Sequence, residues 1–155
     1  MAVEDFSSLI AGITAGIAGQ PLDAALADRL NAQMAPGTPG YSAVFDACRA
    51  GIAEGWMCAQ EHGGIRYGRV IKAGDATHGF SVDVVDMNDI AGPLHTHPEG
   101  EIDLVMPLDA DAKFDGHGAG WVVYGPGSQH RPTVSGGRAL VLYLLPQGAI
   151  QFHKG

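Results

Sequence analysis

The chain has 155 residues, a formal net charge of −8 and charged side chains at only 17% of positions. That length suits one domain able to bury a core without disulfide or metal staples, while the acidic balance argues against a nucleic-acid backbone or an anionic membrane as the main partner and leaves a small molecule as the expected one. Twenty-three glycines and nine prolines supply the turns an all-β body needs, and Cys48 and Cys58, at neither zinc-ligand nor secreted-framework spacing, fit a reducing cytoplasm.

Phe6, Leu9, Ile10, Ile13 and Ile17 recur at helical spacing, and Gly19 with Pro21 ends that element. The apolar run from Leu9 to Gly19 has the texture of a signal-peptide core, but Glu4 and Asp5 precede it where basic residues are required. It is also too short to span a bilayer, so a packed helix is predicted. A second helix is expected through Leu22, Leu26 and Leu30, and Pro36 to Gly40 breaks the pattern. From Tyr41 a third helix is predicted, with Tyr41, Val44, Phe45, Cys48, Ile52 and Trp56 on one face. Residues 1–62 are thus expected to be a helical segment packed on residues 63–155, the two forming one structural domain.

Beyond Gly63 the punctuation changes to short β-rich runs, "IRYGRVIK", "FSVDVVDM", "EIDLVMPL", "GWVVYG" and "ALVLYLLP", separated by Gly, Pro, Asp and Asn clusters. This is the spacing of a sandwich or small barrel. The glycines near 63 and 136 lack the lysine and helix that would make a phosphate loop.

Within "HTHPEGE" (residues 95–101) the two histidines occupy positions i and i+2, which share a face in an extended strand, so His95 and His97 form a chelating pair while Thr96 points away. Pro98 to Gly100 turns the chain, and Glu101 opens the next strand with Asp103 on its own face and Ile102 and Leu104 on the other. Two imidazoles and a carboxylate are a borderline ligand set for one divalent first-row ion: Fe, Mn, Co, Ni or Zn. A fourth ligand, His130, is expected from "GWVVYGPGSQHRP", where a Gly-Pro-Gly turn swings it inward. His62, His78, His117 and His153 have no partner at ligand spacing and are read as structural or exposed.

On these motifs the chain resembles the cupin family: "GPLHTHPEGE" looks like its first motif and "GWVVYGPGSQH" like its second, with His95, His97, Glu101 and His130 on the metal-ligand positions. The resemblance implies a mainly β fold, a single jelly-roll β-barrel behind the N-terminal helices. A likeness over nearly the whole chain, carried by the helical front end and by "GGIRYGRV", "HGFSVDVVDM", "GEIDLVMPL" and "YGPGSQHRPTVSGGRALVLYLLPQGAI", is to the 4-hydroxylaminobenzoate lyase family, small bacterial proteins of nitroaromatic catabolism. That resemblance implies conversion of 4-hydroxylaminobenzoate to protocatechuate with release of ammonia, and small cupins commonly pair as homodimers.

Three further residues are candidates for chemistry. Asp103, two residues after a ligand on the same face, is either a proton carrier with a raised pKa or one half of a salt bridge to an arginine. A substrate carboxylate calls for a fork-like cation; of Arg66, Arg69, Arg131, Arg138 and Lys72, the choices are Arg66 and Arg131. Tyr67, Trp121, Tyr124 and Tyr143 are pocket walls or core. The ligand set also serves a metal-dependent dioxygenase or isomerase of another small aromatic or carbonyl compound, and fold alone admits a non-catalytic ligand-binding cupin.

Overall fold

Helices α1 (Val3–Ile17), α2 (Ala24–Gln33) and α3 (Pro39–Glu54) lead the chain in the computed structural model, which describes residues 3–153. Each helix is bounded by local chemistry. Asp23 caps α2 by accepting the Leu26 N–H at 3.0 Å. Thr38 caps α3 with Pro39 in its first turn, and Gly55, at φ 89°, closes it in the left-handed conformation. That stop corrects one expectation: Trp56 is not on the face of α3 but beyond it, with its ring 5.8 Å from that of Phe6.

Ten strands follow among the described residues: β1 (Gln60–His62), β2 (Ile65–Ile71), β3 (Phe80–Ala91), β4 (His95–His97), β5 (Glu101–Pro107), β6 (Lys113–Phe114), β7 (Gly120–Tyr124), β8 (Ser128–His130), β9 (Thr133–Pro146) and β10 (Gln151–Phe152). A larger antiparallel sheet runs β1-β2-β3-β9-β5-β7 with β6 also on β9, and a smaller one runs β10-β4-β8. The sheets face each other across Glu101 of β5, whose carboxylate meets histidines from β4 and β8. The result is a mainly β jelly roll of two facing antiparallel sheets with an N-terminal helical segment. Sheet pairing begins at Gln60, three residues ahead of the expected start at residue 63.

Strand alternation divides the core in two. The outer face of the larger sheet, with Val82, Val84, Ile102, Leu104, Met106, Leu140, Leu142 and Leu144, packs under Phe6, Ile10, Ile17, Leu26, Leu30 and Val44 of the helices. The inner face carries Met87, Val105, Phe114, Val141, Tyr143 and Leu145. Polar ties fix the helices in place: the Tyr41 hydroxyl donates to the Val105 carbonyl at 3.0 Å, and Asn31 bonds both the N–H and the carbonyl of Trp121 on edge strand β7, at 2.8 and 2.9 Å. The helices therefore cover the outside of the larger sheet. No helix among the described residues is long and apolar enough to cross a membrane.

Candidate metal centre and the adjoining cavity

Strand β4 alternates as its sequence predicts: His95 and His97 are buried while Thr96 is partly exposed. Antiparallel pairing of β4 with β8 sets His130 directly opposite His95 and Ser128 opposite His97. Glu101 arrives from the other sheet after Gly100, which holds φ +91° with no room for a side chain; an added Cβ would lie 2.8 Å from the Tyr124 carbonyl oxygen. One ligand atom from each of His95, His97, Glu101 and His130 lies within 4.8 Å of the others. His97 Nε2 is 2.9 Å and His130 Nε2 3.4 Å from Glu101 Oε2, and His95 Nε2 is 3.7 Å from Oε1.

The outer nitrogens show why the Nε2 atoms converge. His97 Nδ1 lies 2.9 Å from Ser128 Oγ, His95 Nδ1 3.3 Å from the Pro93 carbonyl, and His130 Nδ1 2.5 Å from Asp115 Oδ2. Asp115 also accepts the Tyr124 hydroxyl at 2.6 Å and the Thr133 N–H at 2.9 Å, so it is fixed from three sides. Each imidazole is thus oriented from behind, as metal-bound histidines are. The inner atoms are less well met: His130 Nε2 and His95 Nε2 lie 3.2 Å apart, while His97 Nε2 and both oxygens of Glu101 are buried without a hydrogen bond. Buried polar atoms left unmet cost free energy, and a cation among these donors would satisfy them together. The residues fit a divalent ion.

Charge follows the same layout. Burial works against the Glu101 carboxylate, but the three imidazoles around it outweigh that and hold its pKa well below the usual range. Burial also works against charge on His130, yet Asp115 and Glu101 push its pKa up to about 9. Asp103 is fully buried, and burial with the neighbouring Glu101 charge drives its carboxyl pKa well above normal. No arginine reaches it; both its oxygens lack a partner, as does the buried Tyr143 hydroxyl on the adjoining strand.

Next to the centre lies a cavity of about 660 Å³, within the range of small-molecule sites. His95 forms part of its wall, with Ile65, Met87, Pro93, Tyr143 and Phe152 among its apolar and aromatic lining. Arg131 lines it too, donating to the Gly92 carbonyl at 3.3 Å. Arg66 does not. On β2 it is paired with Asp86 on the face turned away from the cavity, beside Arg138 in a separate shallow recess, and the alternation that carries it outward carries Tyr67 and Arg69 inward. His62, read as structural or exposed, is part of the cavity rim. Of the four aromatics, Tyr67 and Tyr143 line the cavity, Trp121 is in the helix-facing core, and Tyr124 lies against the rings of His97 and His130. Sequence reasoning missed Asp115 and Ser128. Asp115 sits at φ 49° in "FDGHG", which reads only as a turn, and Ser128 directly follows the Gly-Pro-Gly connection as the first residue of β8.

A family model described as PnbB, 4-hydroxylaminobenzoate lyase, matches residues 8–152. Two relatives named 4-hydroxylaminobenzoate lyase, from Nocardioides sp. (strain LMS-CY) and Pseudomonas putida, are each 33% identical, covering 79% of this chain and 78% and 80% of theirs. Among solved structures, an RmlC-like cupin protein from Ralstonia eutropha overlays 62% of this chain and 64% of its own at 13% identity, with a TM-score of 0.46. Matched from its first helix to its last strand, the chain belongs to the 4-hydroxylaminobenzoate lyase family and so to the lyases.

Proposed function

We propose that the protein converts 4-hydroxylaminobenzoate and one water to protocatechuate and ammonia, with His95, His97, Glu101 and His130 holding a single divalent ion of Fe, Mn, Co, Ni or Zn. The observation that carries this reading is that His95 belongs at once to the ligand cluster and to the wall of a ring-sized cavity. Family membership supports the substrate, since both relatives bear its name. When bound, the ion supplies a Lewis acid beside the reacting N–O group.

The rest of the work falls to the chain. The apolar walls exclude water from the ring faces and hold it against His95. Arg131 places a cation in the cavity that draws in an aromatic carboxylate. Asp103, whose carboxyl pKa burial and Glu101 raise, is the proton carrier behind the ligand layer; it is two residues along β5 from Glu101 on the same face.

An anaerobic assay of metal-analysed protein with 4-hydroxylaminobenzoate, following ammonia and the catechol product, tests the reading. Both products should form without oxygen. His97→Ala should lose metal and activity together, while Asp103→Asn should keep the metal and lose turnover by about 100-fold or more, the scale of a lost acid–base group. Consumption of oxygen would make the protein a dioxygenase instead, and a metal-loaded protein that releases nothing would end the substrate assignment.

A further inference from the structure

The cavity contains a second arginine that sequence reasoning passed over. Arg69 of β2 is directly opposite Asp83 of β3, and both face inward with Tyr67 and Val85. Its guanidinium is fixed from two sides: Nε donates to Asp83 Oδ1 at 2.8 Å, and Nη2 donates to Asp83 Oδ2 at 3.2 Å and to the Gly148 carbonyl at 3.3 Å. Of the five N–H groups on the fork, the two on Nη1 carry no partner among the described residues. The guanidinium is therefore held rigid along one edge and open at the other, beside a cavity that one of the metal-ligand candidates also lines.

Position distinguishes it from Arg131. Arg131 follows β8 and stands on the side of the ligand-bearing small sheet, tied to Gly92 just before β4. Arg69 is on the larger sheet. Along the path β2-β3-β9-β5 three strand spacings separate it from Glu101 and Asp103, about 14 Å between backbones before the sheet curves. Asp83 cancels the net charge of the pair, so Arg69 recognises its ligand by short, oriented hydrogen bonds more than by long-range attraction.

We propose that Arg69 is the anchor for the carboxylate at the far end of the ring: its Nη1 N–H groups hold the acid para to the reacting nitrogen, with Asp83 as the positioning residue that fixes the fork. The identity of that carboxylate rests on the lyase reading above. The cavity consequently selects para-substituted aromatic acids over neutral aryl hydroxylamines.

The test compares turnover of 4-hydroxylaminobenzoate and of phenylhydroxylamine, which lacks the carboxylate, by the wild type, R69Q and R131Q. In R69Q the kcat/KM for the acid should fall about 10- to 100-fold, the scale of a lost charge-assisted contact, mostly through KM. Phenylhydroxylamine should be processed as by the wild type, which also reports an intact fold. Because R69Q strands the Asp83 charge, the paired variant R69Q/D83N supplies the same reading without a lone, partly buried carboxylate. Equal loss for both substrates, no loss, or a carboxylate-specific loss confined to R131Q would each overturn the assignment. Should the wild type release no ammonia, the lyase reading falls by itself, and calorimetric binding of benzoate decides the anchor: weakened binding in R69Q upholds it, and unchanged binding overturns it.

Discussion

Asp115 does more for the metal centre than its place in a turn suggests. Its carboxylate meets His130 Nδ1, the Tyr124 hydroxyl and the Thr133 N–H together. Burial raises its pKa, but these contacts outweigh that and hold it below the usual carboxylate range, so it stands ionised behind the ligand. Asp115→Asn removes the charge and sets an amide against an imidazole without changing volume. We expect metal affinity to fall about 10- to 100-fold, as when other outer partners of metal-bound histidines are lost, with the far-ultraviolet circular dichroism unchanged; competition against a chromophoric chelator measures it, and unaltered affinity would show that the contact is only structural. Such a residue is invisible in sequence because its function depends on which distant strand it is folded against. His95, His97 and Glu101 were legible because strand alternation and one turn bring them together locally, and His130 because a motif marks it. Ser128 and Asp115 depend on register between strands remote in sequence.

Among the elements, helix faces were easiest to read. Apolar spacing in α1 and α2 named residues that are buried, Phe6, Ile10, Ile17, Leu26 and Leu30, because one side of each helix meets one layer. All five β-rich runs coincide with strands, three of them overrunning the strand by a single residue. What alternation could not fix was which face of β2 looks inward: it gives the parity of Arg66 and Arg69 but not its sign, and the pairing of Tyr67 with Val85 and Arg69 with Asp83 decides it. The link between helices and sheet was equally hidden. Asn31 of α2 presents its side-chain amide to β7 as a neighbouring strand would, satisfying Trp121 on an edge that has no other strand beside it. Asn31→Ala leaves both backbone groups of Trp121 without that partner. Urea unfolding should show a loss of about 1–3 kcal/mol, accompanied by faster amide exchange in β7. A loss within 0.5 kcal/mol, on the order of an ordinary surface change, would mean that the helices are held by apolar packing alone.

Across the whole molecule, the proposed metal site makes stability and ion binding one equilibrium, because its four candidate ligands come from both sheets: His95, His97 and His130 from the smaller, Glu101 from the larger. Without an ion, the buried oxygens of Glu101 have no hydrogen bond between the sheets, and only the imidazoles beside them offset the burial of the charge. An ion bridges them and is lost when they part, so it stabilises the native state by mass action, by about 2.7 kcal/mol when free ion is 100 times Kd. For a chain of this length that corresponds to a rise in Tm of about 5–10 °C. Protein stripped by chelation should therefore melt lower by that amount and recover on adding back the metal, in a differential scanning experiment run with and without ion. His130→Ala should lose most of the increment because it removes the ligand contributed by β8. Glu101→Gln should diminish it and also lower the melting point of the stripped protein, since the amide keeps the shape but loses the carboxylate's attraction to the imidazoles that hold its pKa down. An ion that raised the Tm of both variants as much as that of the wild type would have to bind elsewhere, and the two sheets would then be joined by packing alone.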